Sequence, residues 1–245
     1  MALVEFDHHD GIAILTFNRP EALNALSPGL FVELRDHIDR IGTRTEEIGC
    51  VILRGKGRSF SAGNDLKAIQ QGEAGPSRNF QAETLDAIEN LPQPVIAAVQ
   101  GHCYTGALEV ALACDLMICS ESAKFSDTHG KWGMSPTWGM SQRLPRRVGL
   151  LNAKEMMFSG RVVTGDEAVR IGLANKVVSD DALNDEAIAM AKSFLDNSWF
   201  TLRKDKELVN AGTNVGLTEG LAYERANSPG RGPDTAERVA HFSRK

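Results

Sequence analysis

The chemistry this sequence offers centres on Gly106 and Glu109. They lie three residues apart in Gly101-His-Cys-Tyr-Thr-Gly106-Ala-Leu-Glu109-Val-Ala-Leu-Ala-Cys-Asp115. Gly106 has no side chain to block a ligand. Its N–H is among the first of a helix, where amides lack an internal partner and the macrodipole favours negative charge. Such an N–H can stabilise an oxyanion. Glu109, about one turn further on, is placed to move a proton near the same ligand. Read alone, the stretch is also an ordinary strand–turn–helix with an acidic first turn, because a single glycine-to-helix turn is a weak motif. A second glycine turn, Arg54-Gly-Lys-Gly-Arg-Ser-Phe-Ser-Ala-Gly63-Asn64-Asp65-Leu66, repeats the arrangement. There the Asn64 N–H takes a place like that of Gly106. Two such amides aimed at one carbonyl oxygen make an oxyanion hole. Read alone, Gly-Asn-Asp is a turn with a helix cap.

The elements that must carry these residues alternate between strand and helix. Residues 3–17 read as two strands joined at Asp10-Gly11, a hairpin signal. Ser27 caps a helix with Pro28 at its first position, and Leu30, Leu34, Ile38 and Ile41 form its apolar stripe. Cys50-Val-Ile-Leu53 is a strand, a helix begins near Asp65, and a further helix over 77–90 ends before Pro92. Pro94-Val-Ile-Ala-Ala-Val99 is a buried strand. It passes through a turn into a helix capped by Thr105, with Leu108, Ala111 and Leu112 on one face. Asp115-Leu-Met-Ile-Cys119 and Ala123-Lys-Phe125 are strands. The glycine-rich loop that follows, from Ser126 to Gly139, carries Trp132 and Trp138, and loops of such length are often functional. Helices are predicted over 139–147, 150–158 and from Thr164 to Ile171, with a last strand at 175–178. From Asp180 the pattern is helical, broken near Pro229 and Pro233. A mixed region over 1–180 thus gives way to a helical region over 181–245, without a linker to make the second independent.

A length of 245 residues suits one large domain, or a domain with a small appendage. With 42% hydrophobic and 24% charged residues, the chain can bury a substantial core. The net charge of −5 and the lack of a long basic run argue against nucleic acid as a partner. Arg143, Arg146 and Arg147 form a local cluster that reads as a solvated helix face. No apolar run reaches the ~20 residues of a membrane span, and the N-terminus has no secretory pattern. Cys50, Cys103, Cys114 and Cys119 have no metal-ligand spacing and read as reduced, buried thiols of a cytoplasmic protein. The sequence calls for no metal and no separate cofactor.

Taken together, the segments resemble the enoyl-CoA hydratase/isomerase (crotonase) family. Asn18-Arg-Pro20 with Leu23-Asn-Ala-Leu26 matches its first signature, and Phe60-Ser-Ala-Gly63-Asn64-Asp65-Leu66 matches its Phe-x-Ala-Gly-x-Asp-Leu/Ile loop. Gly101 to Asp115 matches its Gly-x-x-x-x-Gly-x-x-Glu helix. Pro136, Gln142-Arg143-Leu144 and Val148-Gly149 match the segment after the active site. Ser159-Gly-Arg161, Ala168, Gly172-Leu173 and Val177-Val178 match the start of the C-terminal part.

The resemblance implies an α/β fold, a crotonase-like spiral of ββα units with a C-terminal helical region that assembles a homotrimer or a dimer of trimers. It implies an acyl-CoA substrate and a lyase of fatty acid metabolism. Carried over by position, the oxyanion N–H groups are those of Asn64 and Gly106. Ala62, Asn64, Asp65, Leu66 and Lys67 lie along the CoA. Hydratases hold their water with two glutamates. The first matches Glu109, but the second falls on His129. The step that is usually Pro-Gly-Ala-Gly is here Pro136-Thr137-Trp138-Gly139. An unperturbed histidine, with pKa ~6.5, serves as acid or base near neutrality. A Glu109–His129 pair therefore suits hydration, with ionised Glu109 as base and protonated His129 holding the water or returning a proton. The other reading of His129 is a loop histidine satisfied by a neighbour such as Asp127, with no chemistry.

Three functions follow: reversible hydration of a 2-enoyl-CoA; another reaction in the same oxyanion hole (isomerisation, decarboxylation, or C–C or thioester hydrolysis); and acyl-CoA binding without turnover. His129 in place of glutamate favours the second, and intact Glu109 opposes the third. Trp132 and Trp138 read either as narrowing the acyl pocket or as core and interface residues. Cys103 lacks an activating base for nucleophilic attack.

Overall fold

The computed structural model of the chain describes residues 1–242. Its first elements are a hairpin of Val4–His9 (β1) and Ile12–Phe17 (β2), turned at Asp10 and Gly11. Both turn residues have positive φ, 51° and 77°, as the two-residue turn that fits strand twist requires. Pro28–Gly42 (α1) follows, with the Ser27 hydroxyl accepting from the Leu30 N–H as predicted. Cys50–Gly55 (β3), Leu66–Gln70 (α2), Phe80–Glu89 (α3) and Val95–Val99 (β4) come next. Asp65 caps α2 by accepting from the Lys67 and Ala68 N–H groups. The third helix starts at Phe80 rather than 77, and the residues just before it form a turn in which the Phe80 N–H lies 3.4 Å from the Ser77 carbonyl.

His102–Tyr104 (β5) is a strand where the sequence suggests only a turn. Three residues are too few to show an alternating pattern, and only the pairing with a partner makes them a strand. Gly106–Ala113 (α4), Leu116–Ser120 (β6), Lys124–Ser126 (β7), Met140–Val148 (α5), Leu150–Ser159 (α6) and Val163–Thr164 (β8) lead on. Gly165–Arg170 (α7) and Lys176–Val178 (β9) precede four C-terminal helices: Leu183–Leu195 (α8), Trp199–Gly212 (α9), Leu217–Asn227 (α10) and Thr235–Phe242 (α11).

The strands build a six-stranded sheet in the order β1-β2-β3-β4-β6-β9 and a three-stranded sheet in the order β5-β7-β8. All pairs of the large sheet beyond the first hairpin are parallel. Parallel strands are covered on both faces, which explains why β2 is buried at every residue. Period-two alternation sorts its side chains. Ala13, Leu15 and Phe17 face the main core with α1 and α4, whereas Ile12 and Ile14 face a second cluster with Leu183, Ala187 and Ala191 of α8. So α8, although it follows residue 180, closes the second face of the sheet. Helices α9 and α10 contribute no fully buried residue.

Candidate active site

Two loops meet where each strand runs into its helix. Ser61 and Cys103 form a parallel bridge, with the Ser61 N–H 2.9 Å from the His102 carbonyl and the Tyr104 N–H 3.4 Å from that of Ser61. Gly63, at φ 99°, lies so close to this neighbour that a Cβ on it would stand 2.5 Å from the Tyr104 carbonyl oxygen. Only glycine allows that approach. Asn64 and Gly106 each lie three residues beyond a bridge partner, so the register sets them side by side. Neither N–H donates to another described residue.

Thr105 precedes Gly106 with φ 52° and ψ −111°, a conformation that strains a β-branched residue. Its side chain does not cap α4, contrary to the sequence reading. The unusual backbone turns its hydroxyl toward the next loop, where Thr105 Oγ1 pairs with Thr128 Oγ1 at 2.5 Å and accepts from the Thr128 N–H at 3.1 Å. The Thr105 N–H donates to the Ser126 carbonyl at 2.8 Å. These bonds tie the Gly106 turn directly to the segment that carries His129.

Glu109 is 1% exposed on the first turn of α4. Its Oε1 accepts from the backbone N–H groups of Trp138, at 3.1 Å, and Met140, at 2.9 Å. Its Oε2 stands 3.8 Å from His129 Nε2. Burial lifts the Glu109 pKa above the ordinary carboxylate value, and the two N–H donors and His129 offset only part of that. His129 begins a short 3₁₀ turn, His129–Trp132. Its Nδ1 lies 2.6 Å from Asp127 Oδ1, which also accepts from the His129 N–H at 3.1 Å. Burial works against charge on His129, but the hydrogen bond and charge of Asp127, with the charge of Glu109, outweigh it and raise the pKa. Asp127 thus holds one nitrogen of His129, and the other faces Glu109. Among the described residues, Asp127, His129 and Glu109 form a line of three titratable groups, with Asp127 1% exposed.

Asn64, Gly106, Glu109 and His129 all line one cavity of about 330 Å³, with Ala62 and Leu66 also in its wall. Asp65 and Lys67 do not line it. Asp65 is buried, holding Arg19 at 2.8 Å while it caps α2, and Lys67 is exposed at the start of that helix. Asp127 was visible in the sequence only as a possible partner of His129. Nothing local in the sequence marks Thr128, whose role rests on its bonds to Thr105. His102 bonds Ser59 at 2.9 Å and lies outside the cavity wall. Cys103 is fully buried, and burial pushes its thiol pKa well up, which disfavours a reactive thiolate.

A two-sided parallel sheet that brings two amides without backbone partners, Gly106 at the start of α4 and Asn64 in the loop before α2, to one cavity with a buried acid suits an α/β enzyme acting on a carbonyl substrate. More particularly, the chain belongs to the enoyl-CoA hydratase/isomerase family, whose model matches residues 7–230. A short-chain-enoyl-CoA hydratase of Clostridium acetobutylicum is 36% identical over 87% of this chain and 83% of its own. A protein of Arabidopsis thaliana described as probable enoyl-CoA hydratase 1, peroxisomal, is 34% identical over 88% of this chain and 81% of its own. The solved structure of an enoyl-CoA hydratase from Bacillus anthracis superposes with a TM-score of 0.93 at 32% identity, covering 99% of this chain and 96% of that one. The fold is therefore that of the crotonase family, with its C-terminal helical region.

Proposed function

We propose that this enzyme reversibly hydrates a 2-enoyl-CoA thioester, using Glu109 as base and His129 as acid. The Glu109 Oε2–His129 Nε2 approach of 3.8 Å carries the reading. It is too long for a direct hydrogen bond and short enough for one water to contact both atoms. The side-by-side register of Asn64 and Gly106 supports an oxyanion hole for the thioester carbonyl. Ala62, Asn64 and Leu66 would meet the substrate from the cavity wall, with exposed Lys67 beside them along the CoA, while Asp65 holds the turn from behind by capping α2.

In the forward direction Glu109 takes a proton from the water as its oxygen bonds the β-carbon. The double-bond electrons move toward the thioester carbonyl, and the Asn64 and Gly106 N–H groups stabilise the resulting enolate oxygen. His129 Nε2–H then protonates the α-carbon. A proton transfer from Glu109 to His129 through the next water restores the starting state. The substrate carries its own CoA, so no separate cofactor enters this scheme. The Asp127–His129 hydrogen bond of 2.6 Å favours one second reading, thioester hydrolysis, in which neutral His129 directs water at the carbonyl carbon.

Assembly as a homotrimer or dimer of trimers belongs to the same reading. It is supported by apolar side chains left exposed on α6 and α10, among them Leu151, Phe158 and Leu217. No helix among the described residues is long and apolar enough to cross a membrane. The four cysteines are free and buried, which supports a reducing, cytoplasmic setting. The test is the loss of conjugated-enoyl absorbance when the purified protein meets crotonyl-CoA. The expected result is steady loss to an equilibrium mixture with 3-hydroxybutyryl-CoA. Unchanged absorbance across a panel of enoyl-CoA thioesters would overturn the proposal.

A further inference from the structure

The wall of the cavity beside the oxyanion turn is a single indole. Trp138 lies across Gly106 so closely that a Cβ on that glycine would stand 2.4 Å from Trp138 Cζ3. Behind it, its ring meets Phe31 edge-on at 5.0 Å between centroids, and Phe31 is fully buried in the main core. The indole therefore fills the space between the oxyanion turn and the core. It is also held in place. The Trp138 N–H donates to Glu109 and its carbonyl accepts from Arg143 Nη1 at 2.8 Å. Arg143 in turn grips Asp86 and Glu89 of α3, at 2.7 Å and 2.6 Å. On the open side of the same cavity stand Trp132 and Met134, both exposed.

We propose that Trp138 is the end wall of the acyl pocket and restricts the enzyme to short-chain 2-enoyl-CoA thioesters. The inference rests on the hydratase reading above. A thioester whose carbonyl sits on the Gly106 N–H starts its acyl chain beside the indole. The chain runs inward as the CoA leaves through the open side. Each carbon beyond the reacting double bond must then find room where the indole already packs on Phe31. An apolar pocket discriminates by about 10–200-fold for one methylene that does not fit.

The experiment compares kcat/KM for crotonyl-CoA and 2-decenoyl-CoA in the parent, Trp138→Ala and Trp138→Leu. The parent should favour crotonyl-CoA by at least about 100-fold. Trp138→Ala should raise the decenoyl-to-crotonyl ratio by at least about tenfold, and Trp138→Leu by less. A ratio cancels losses of folded protein, and the leucine variant keeps an apolar filler if the alanine variant does not fold. Equal use of both substrates by the parent, or ratios unmoved in both variants, would overturn the proposal. Calorimetric affinities for butyryl-CoA and decanoyl-CoA, which have no double bond to hydrate, separate the two readings. If the parent turns over nothing, the hydratase reading fails. An affinity ratio that shifts toward decanoyl-CoA in the variants still supports the end wall, and one that does not shift contradicts it.

Discussion

Glu109→Gln is expected to lower kcat for crotonyl-CoA hydration by about 10²–10⁴-fold while changing KM little, the scale of a lost general base. The substitution isolates the proton chemistry. A glutamine oxygen still accepts from the Trp138 and Met140 N–H groups that hold Glu109 Oε1 at 3.1 Å and 2.9 Å. What disappears is the basic oxygen that faces His129 Nε2. Burial already disfavours charge on Glu109, so a neutral isostere carries no desolvation penalty and the fold should survive. Steady-state kinetics with a thermal melt of the same sample check both halves. A variant that melts like the parent and retains full kcat would remove Glu109 from the mechanism.

The second large effect is expected at Asp127, through the pH dependence of kcat/KM. The hydration scheme needs ionised Glu109 and protonated His129, which gives a bell-shaped profile. Its acid limb should lie above the ordinary carboxylate range, because the Glu109 pKa is raised by burial. Its alkaline limb should lie above the ordinary histidine value of ~6.5, because Asp127 and Glu109 together overcome the burial that disfavours charge on His129. In Asp127→Asn the negative partner is lost while the burial remains, so the His129 pKa falls. The alkaline limb should therefore move to lower pH. Less of the enzyme is then in the competent state near neutrality, and kcat/KM measured there should drop by at least about tenfold. His129→Ala should remove the alkaline limb together with most of the activity. An alkaline limb that stays in place in Asp127→Asn would show that Asp127 does not act through His129.

The local grammar of the chain was largely legible. Ser27 before Pro28, Asp10-Gly11 between two alternating runs, and Asp65 before Leu66 each state a cap or a turn whose chemistry is complete within a few residues. Gly106 and Glu109 were legible for the same reason, since both lie within one helical turn. What depends on partners distant in sequence was not. His102–Tyr104 becomes a strand only through Lys124–Ser126. Thr105 looks like a cap in sequence, yet its backbone points its hydroxyl to Thr128. That Asn64 and Gly106 lie side by side follows from the Ser61–Cys103 bridge, which joins segments about forty residues apart and leaves no local mark. Trp138 was legible as a departure from the family pattern, but the packing of its ring on Gly106 and Phe31 is a tertiary property.

Crotonyl-CoA turned over in isotope-labelled water tests the central claim most directly, because the destination of the labelled oxygen reports which carbon the water attacked. Mass analysis of the products should find the label in a 3-hydroxyacyl group still joined to CoA, at the β-carbon, with no CoA thiol released. Label in a free carboxylate, accompanied by stoichiometric release of CoA thiol, would mean that His129 and Glu109 direct water to the thioester carbonyl, and would contradict the assignment of the pair to hydration.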